Sequence, residues 1–140
     1  MKYDVIIIGS GATAVTIVPK IADTVSHVTM LQRSPTYVGA LPNKDVLAKF
    51  FKLIFPKKIA HKIIRTKNVL LDMVFFNACR KWPNTMKKYI VKKAQKELGD
   101  VPVHPHFTPN YNPWEQRFCL APDGDLFKSI REGKASVETA

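Results

Sequence analysis

Four consecutive apolar residues, Val5 to Ile8, stand near the start of the chain, and the run stops at Gly9. An unbroken run of this length predicts a parallel strand buried on both faces, because a half-solvated strand would alternate with polar residues. Behind it, Val15, Val18, Ile21 and Ala22 recur at helical spacing, with Pro19 expected to bend or shorten the helix. His27 to Leu31 is again strand-like, so strand, helix and strand follow one another as a beta-alpha-beta unit requires. From Asp45 onward the period becomes helical, with breaks at Pro56 and Pro83. Val46, Leu47, Phe50, Phe51 and Ile54 form one apolar stripe; Ile59, Ile63, Leu70, Val74 and Ala78 form a second; Met86, Ile90, Ala94 and Leu98 form a third. Residues 104–127 are dense in Pro, Asn and aromatics, which predicts an ordered loop rather than a flexible linker. After it, Asp123 or Asp125 is expected to cap a helix over Leu126 to Arg131 that Gly133 ends, and Ala135 to Thr139 looks like the next strand.

Charge sharpens this division. Residues 43–100 hold 15 Lys and Arg against 4 Asp and Glu, while the remainder of the 140-residue chain holds 7 against 7. All of the +11 excess therefore lies in the helical middle. The expected organisation is a first piece of a nearly neutral fold over 1–42, a basic helical insert over 43–100, and a loop over 101–140 that returns to the first fold. Basic amphipathic helices suit an anionic membrane surface or nucleic acid, but no nucleic-acid motif is present, so a nucleic-acid partner is not expected. No apolar run approaches the length of a membrane span. Met1-Lys2-Tyr3-Asp4 leads straight into the first strand without a signal-peptide pattern. The expectation is a soluble, cytoplasmic chain, with peripheral attachment to a membrane as an alternative. Cys79 and Cys119 lack metal-ligand spacing and His104-x-His106 lacks a third ligand, so no metal site is expected.

The turn after the first strand carries candidate chemistry. Gly9-Ser10-Gly11-Ala12-Thr13-Ala14 fits G-x-G-x-x-A. In that pattern the first Gly makes the turn, the second admits a pyrophosphate close to the backbone, and the small sixth residue lets helix pack on strand. The helix amides and dipole would then face the phosphates. Dinucleotide folds usually place a carboxylate after the second strand to bind a ribose hydroxyl. This chain has Gln32, Arg33 and Ser34 there instead. Arg33 can pair with a 2′-phosphate and Ser34 can add a hydroxyl, so the site reads as one for NADPH rather than NADH or FAD.

"IIIGSGATAVTIVP", "HVTMLQRSPTY" and "HFTPNYNPWEQRFCLAPDGDLFKSIREGKASV", with the basic helices between them, resemble the NADPH-binding part of flavin-containing Baeyer-Villiger monooxygenases, the type that activates the prodrug ethionamide. The resemblance covers essentially the whole chain. It implies a Rossmann-type NADP-binding domain interrupted by a helical segment. It also implies an activity that spends NADPH and O2 on a flavin, inserting oxygen into a ketone or adding it to sulfur. By position, Gly9, Ser10, Gly11, Ala12 and Thr13 would cradle the pyrophosphate, and Arg33 with Ser34 would hold the 2′-phosphate. Arg117, in "NPWEQR", matches the family's active-site arginine, a guanidinium that stays protonated beside flavin and nicotinamide. Tyr111 and Trp114 are expected to pack the loop. The family's FAD fingerprint, its histidine-containing motif and the remaining strands have no counterpart here, so FAD and its domain belong to the complete enzyme. The chain is expected to be a fragment that does not oxygenate by itself. The alternatives are a free-standing NADP-binding module and a membrane-surface-associated basic protein without catalysis.

Overall fold

A computed structural model describes residues 3–42 and 45–140. Met1 and Lys2, in the lead-in to the first strand, and Asn43 and Lys44, where the basic segment is expected to begin, lie outside the described residues. The fold is α/β with parallel strands. In chain order the elements are β1 (Asp4–Ile8), α1 (Ala12–Ile21), β2 (His27–Gln32), β3 (Tyr37–Leu41), α2 (Val46–Ile54), α3 (Lys57–Lys81), α4 (Pro83–Leu98), β4 (Phe118–Pro122), α5 (Asp125–Arg131) and β5 (Ala135–Thr139).

Two parallel sheets result. One has the order β1-β2-β5, with Asp4 opposite His27 and Val28 opposite Ala135. The other joins β3 to β4, with Tyr37 opposite Phe118. Side chains alternate across a strand, so Ile7, Val28, Met30, Ala135 and Val137 share one face of the larger sheet. That face packs against Ala14, Val15 and Val18 of α1 and Leu126, Phe127 and Ile130 of α5 to form the core. Ala94 and Leu98 of α4 enter the same core, so the last helix of the basic segment is built into it.

The other face departs from the sequence expectation. β1 is half-buried on one side, through Val5 and Ile7, and open on the other: Ile6 is 68% exposed and Ile8 84%. α1 and α5 lie side by side on the core face, and no described element covers the opposite one. There the side chains of His27 and Thr29 hydrogen-bond the Ser136 hydroxyl.

The helices of the middle begin and end near the expected prolines: Pro56 caps α3 and Pro83 opens α4. Met86, Ile90, Ala94 and Leu98 do face inward, with Ile90, Ala94 and Leu98 buried. The first two stripes do not. No residue of α2 is buried, and in α3 the buried positions are Ala60 and Cys79, while Leu70 and Val74 are exposed. Two further corrections concern the end of the chain. Phe118–Pro122 within the expected loop is a strand, paired with a strand at Tyr37–Leu41 that the sequence pattern does not mark. Neither Asp123 nor Asp125 caps α5, because Gly124 occupies the cap in a left-handed conformation. Gly133, also left-handed, follows the helix as expected.

Candidate functional site

The glycine-rich turn joins the end of β1 to the start of α1. Gly9 sits at φ +123°, a region that L side chains rarely adopt, and its amide donates to the Leu31 carbonyl at 2.8 Å. The turn is thereby fastened to the end of β2. A Cβ built at Gly9 or Gly11 would meet no atom within 4 Å, so the backbone here is open to an approaching group. Gly11 caps α1 without any side-chain hydrogen bond, and the first turn holds no acid. The amides of the first helical turn have no intrahelical acceptor, which leaves a positive, donor-rich end. Ala12 and Thr13 are exposed there, while Ala14 is buried against the sheet as the small sixth residue should be.

The side chains after β2 divide into two groups. Arg33 is exposed and Ser34 half-buried. Gln32 is buried, and its amide donates to the His106 carbonyl at 2.8 Å and the Thr139 hydroxyl at 2.9 Å. It braces the sheet against the loop and has no face left for a ligand. His106 also hydrogen-bonds Thr139 whereas His104 bonds Thr108, so the two imidazoles are engaged separately. Among the described residues no cluster of potential metal ligands occurs.

Ser10 is buried, and its hydroxyl lies 3.2 Å from that of Thr36, while its carbonyl accepts from the Cys119 thiol. Thr36 leads into Tyr37, whose hydroxyl donates to the Tyr111 carbonyl at 2.6 Å. The Tyr111 hydroxyl in turn shares its one proton between the carbonyls of Arg117, at 3.2 Å, and Pro35, at 3.4 Å. Arg117 precedes the Tyr37–Phe118 pair by one residue, so its backbone runs beside Thr36. The loop is therefore bolted to the turn, and the Arg117 side chain, just before β4, is exposed. Burial pushes the Tyr37 hydroxyl up to about 12, helped by Tyr111 and Glu115. Burial likewise raises the Cys119 thiol, with Arg117 opposing, and the Cys79 thiol, so both are held as inert thiols. Trp114 stacks on Phe118 at 5.3 Å and meets Phe75 and Phe76 edge-on, packing the loop against α3. Behind this cluster an apolar groove of about 680 Å³ runs between β3, β4, α3 and α4, with Gly39, Leu71, Phe76 and Leu120 among its walls. Thr36, Tyr37 and Gln32 carry no recognisable motif, since each acts through a partner far away in sequence.

With this geometry in view, the relatives are informative. No family model matches the chain. It is 48% identical over 144 residues to the FAD-containing monooxygenase EthA of Mycobacterium tuberculosis, covering 99% of this chain and 29% of that protein. The chain resembles a segment of the EthA-type FAD-containing monooxygenases. A probable FAD-binding monooxygenase, AlmA of Acinetobacter baylyi, is 44% identical over 136 residues, covering 96% of this chain and 27% of that protein. The chain thus spans under a third of the length of these monooxygenases. Among solved structures, OTEMO with FAD bound superposes with a TM-score of 0.65 at 15% identity, over 97% of this chain and 32% of that one. OTEMO in complex with FAD and NADP gives 0.63 over 98% and 32%. At that identity the likeness is one of fold.

Proposed function

We propose that the chain is the NADPH-binding portion of an FAD-dependent monooxygenase, and that the complete enzyme uses NADPH and O2 to oxygenate a small ketone or sulfur-bearing substrate. The observation that carries the reading is the open glycine turn beside a free guanidinium. The backbone at Gly9 and Gly11 leaves room for a pyrophosphate, and Arg33 is exposed at the adjoining strand end with no carboxylate beside it in sequence. On this reading the division is a Rossmann-type unit over 1–42, a basic insert over 43–100 and a return over 101–140. Gly9, Ser10, Gly11, Ala12 and Thr13 supply the cradle, while Arg33 and Ser34 take the 2′-phosphate. Ser10 contributes its backbone, since its side chain is turned to Thr36. Bound NADPH would supply a hydride. Arg117 would place a permanent positive charge near the nicotinamide end, and the apolar groove would offer a wall to the substrate.

FAD fits nothing in this chain: among the described residues there is one glycine-rich turn, and the strand end that serves it carries Arg33 instead of an acid. The bare sheet face at Ile6 and Ile8 favours this reading over a free-standing module, because parallel sheets are ordinarily covered on both sides. The chain supplied with FAD, NADPH and oxygen should accordingly show no NADPH oxidation above background.

The test is calorimetric titration with NADPH and NADH. Arg33→Ala should weaken NADPH about 10- to 100-fold, as expected for one charge-assisted contact, and leave NADH nearly unchanged. Equal losses for both cofactors would refute the phosphate role.

A further inference from the structure

The helix α2 is amphipathic and yet buries nothing. Val46 (76% exposed), Leu53 (86%), Leu47, Phe50 and Ile54 all stand in solvent. At helical spacing these five positions fall within an arc of about 120° on one side of the helix. Of the better-covered residues, Phe51 lies at the flank of this arc and Ala48 on the opposite side. α2 packs on α3, and the Asp45 carboxylate caps α2 while pairing with Lys67. That contact joins the first turn of α2 to the third turn of α3, so the two helices run antiparallel through the bend at Phe55 and Pro56. Phe55 and Ile59, also exposed, continue the apolar surface past the bend.

Charge surrounds this stripe with a single sign. Residues 45–71 contain seven Lys and Arg, and their sole acid is Asp45. Asp45 is already committed to Lys67 and to the Ala48 amide. Lys49 and Lys52 on α2, with Lys57 and Lys58 on α3, are all exposed. A protein interface of ordinary composition is depleted in lysine, and a nucleic-acid groove has no use for an aliphatic stripe with leucine at its most exposed point. An apolar face rimmed by lysines matches an anionic bilayer, where aliphatic and aromatic side chains enter the acyl boundary and ammonium groups remain among the headgroups.

We propose that the α2 stripe, with the lysines of α2 and the start of α3, seats the protein on an anionic lipid surface. The helix lies in the interface; no helix among the described residues is long and apolar enough to cross it. The inference does not depend on the glycine turn or its cofactor.

Co-sedimentation of the full chain with vesicles tests it. Vesicles of mixed phosphatidylglycerol and phosphatidylcholine should bind the chain, and phosphatidylcholine alone should bind it far less. Each lysine at such a surface is worth about fivefold in partitioning, so reversing Lys49, Lys52, Lys57 and Lys58 to Glu should abolish binding. Leu53→Glu with Ile54→Glu removes the stripe while keeping the lysines. It should lower partitioning at least about tenfold with unchanged circular dichroism, because a charge in the acyl boundary costs at least that much. If that variant loses helicity, Leu53→Ser with Ile54→Ser carries the same expectation. A folded chain that ignores anionic vesicles overturns the proposal, as does binding that both variants retain. Self-association abolished by Leu53→Glu without vesicle binding would assign the face to a second copy. Oligonucleotide binding lost only in the lysine variant, again without vesicle binding, would assign it to nucleic acid. Either result overturns the lipid assignment.

Discussion

The hydroxyl of Ser10 lies 3.2 Å from that of Thr36, with both residues buried, and this contact fixes the glycine turn to the chain that follows β2. The glycine turn and the segment that carries Arg33 are thus tied to one another. Ser10→Ala or Thr36→Val should each cost about 1–3 kcal/mol, because each leaves one buried hydroxyl without its partner. The double variant should cost less than the sum, since both polar groups are then gone. Urea unfolding of the four proteins checks this, and strict additivity would mean that the two hydroxyls are independent.

Gly9 and Gly11 should behave differently. Gly9→Ala forces a side chain into φ +123° and should lower stability by about 1–3 kcal/mol without any ligand. Gly11 has an ordinary extended backbone at φ −79°, so Gly11→Ala should cost no more than about 1 kcal/mol. Its methyl group would nevertheless occupy the open approach to the cradle, and NADPH affinity should fall at least about tenfold, the order of one lost contact. Thermal melts paired with titration calorimetry separate the two effects.

Gln32 offers a test of structure against ligand binding. Gln32→Leu removes the donor shared by His106 and Thr139 and should destabilise by about 1–3 kcal/mol. The NADPH to NADH preference should persist in the folded fraction. A lost preference with intact stability would return Gln32 to the ligand site.

Tyr37 supplies a pH signature. Its folded value, raised by burial to about 12, lies above the ordinary 10, so its stabilising contribution is complete below pH 10 and is lost as pH rises toward 12. Tyr37→Phe lacks this titration and also loses the 2.6 Å bond to the Tyr111 carbonyl. The stability gap between wild type and variant should therefore narrow, by about 1.5–2 kcal/mol, between pH 9.5 and 11.5. Urea unfolding at stepped pH measures it, and a constant gap would contradict the burial effect.

The local parts of this fold are legible in the sequence. β1, α1, β2, α5 and β5 each announce themselves through a run, a period or a glycine, and the form of the glycine turn is legible because its backbone demands are written in consecutive residues. What stays hidden is relational. β3 and β4 pair Val38 with Cys119 across the whole helical segment, and nothing in either short stretch names the other. Gln32 looks like a ligand-binding residue because its partners, His106 and Thr139, are distant. The stripes of α2 and α3 are correct as helices, but periodicity cannot say whether an apolar stripe has something to lie against.

β2 takes its two neighbours from very different distances along the chain. Its pairing with β1 needs only a short helix between, whereas 107 positions separate Thr29 from Ser136 in the pairing with β5. Local contacts form fast and remote ones slowly, so α2, α3 and α4 can coil before the sheet is complete. During synthesis β2 must wait with one row of amides and carbonyls unclaimed until Ala135–Thr139 has emerged. An open edge of that kind accepts any extended segment, including β5 of another nascent copy. The arrival of β5 is thus the step that decides whether β2 pairs within its own chain or with another, and crowding on a polysome is where that choice would be most exposed.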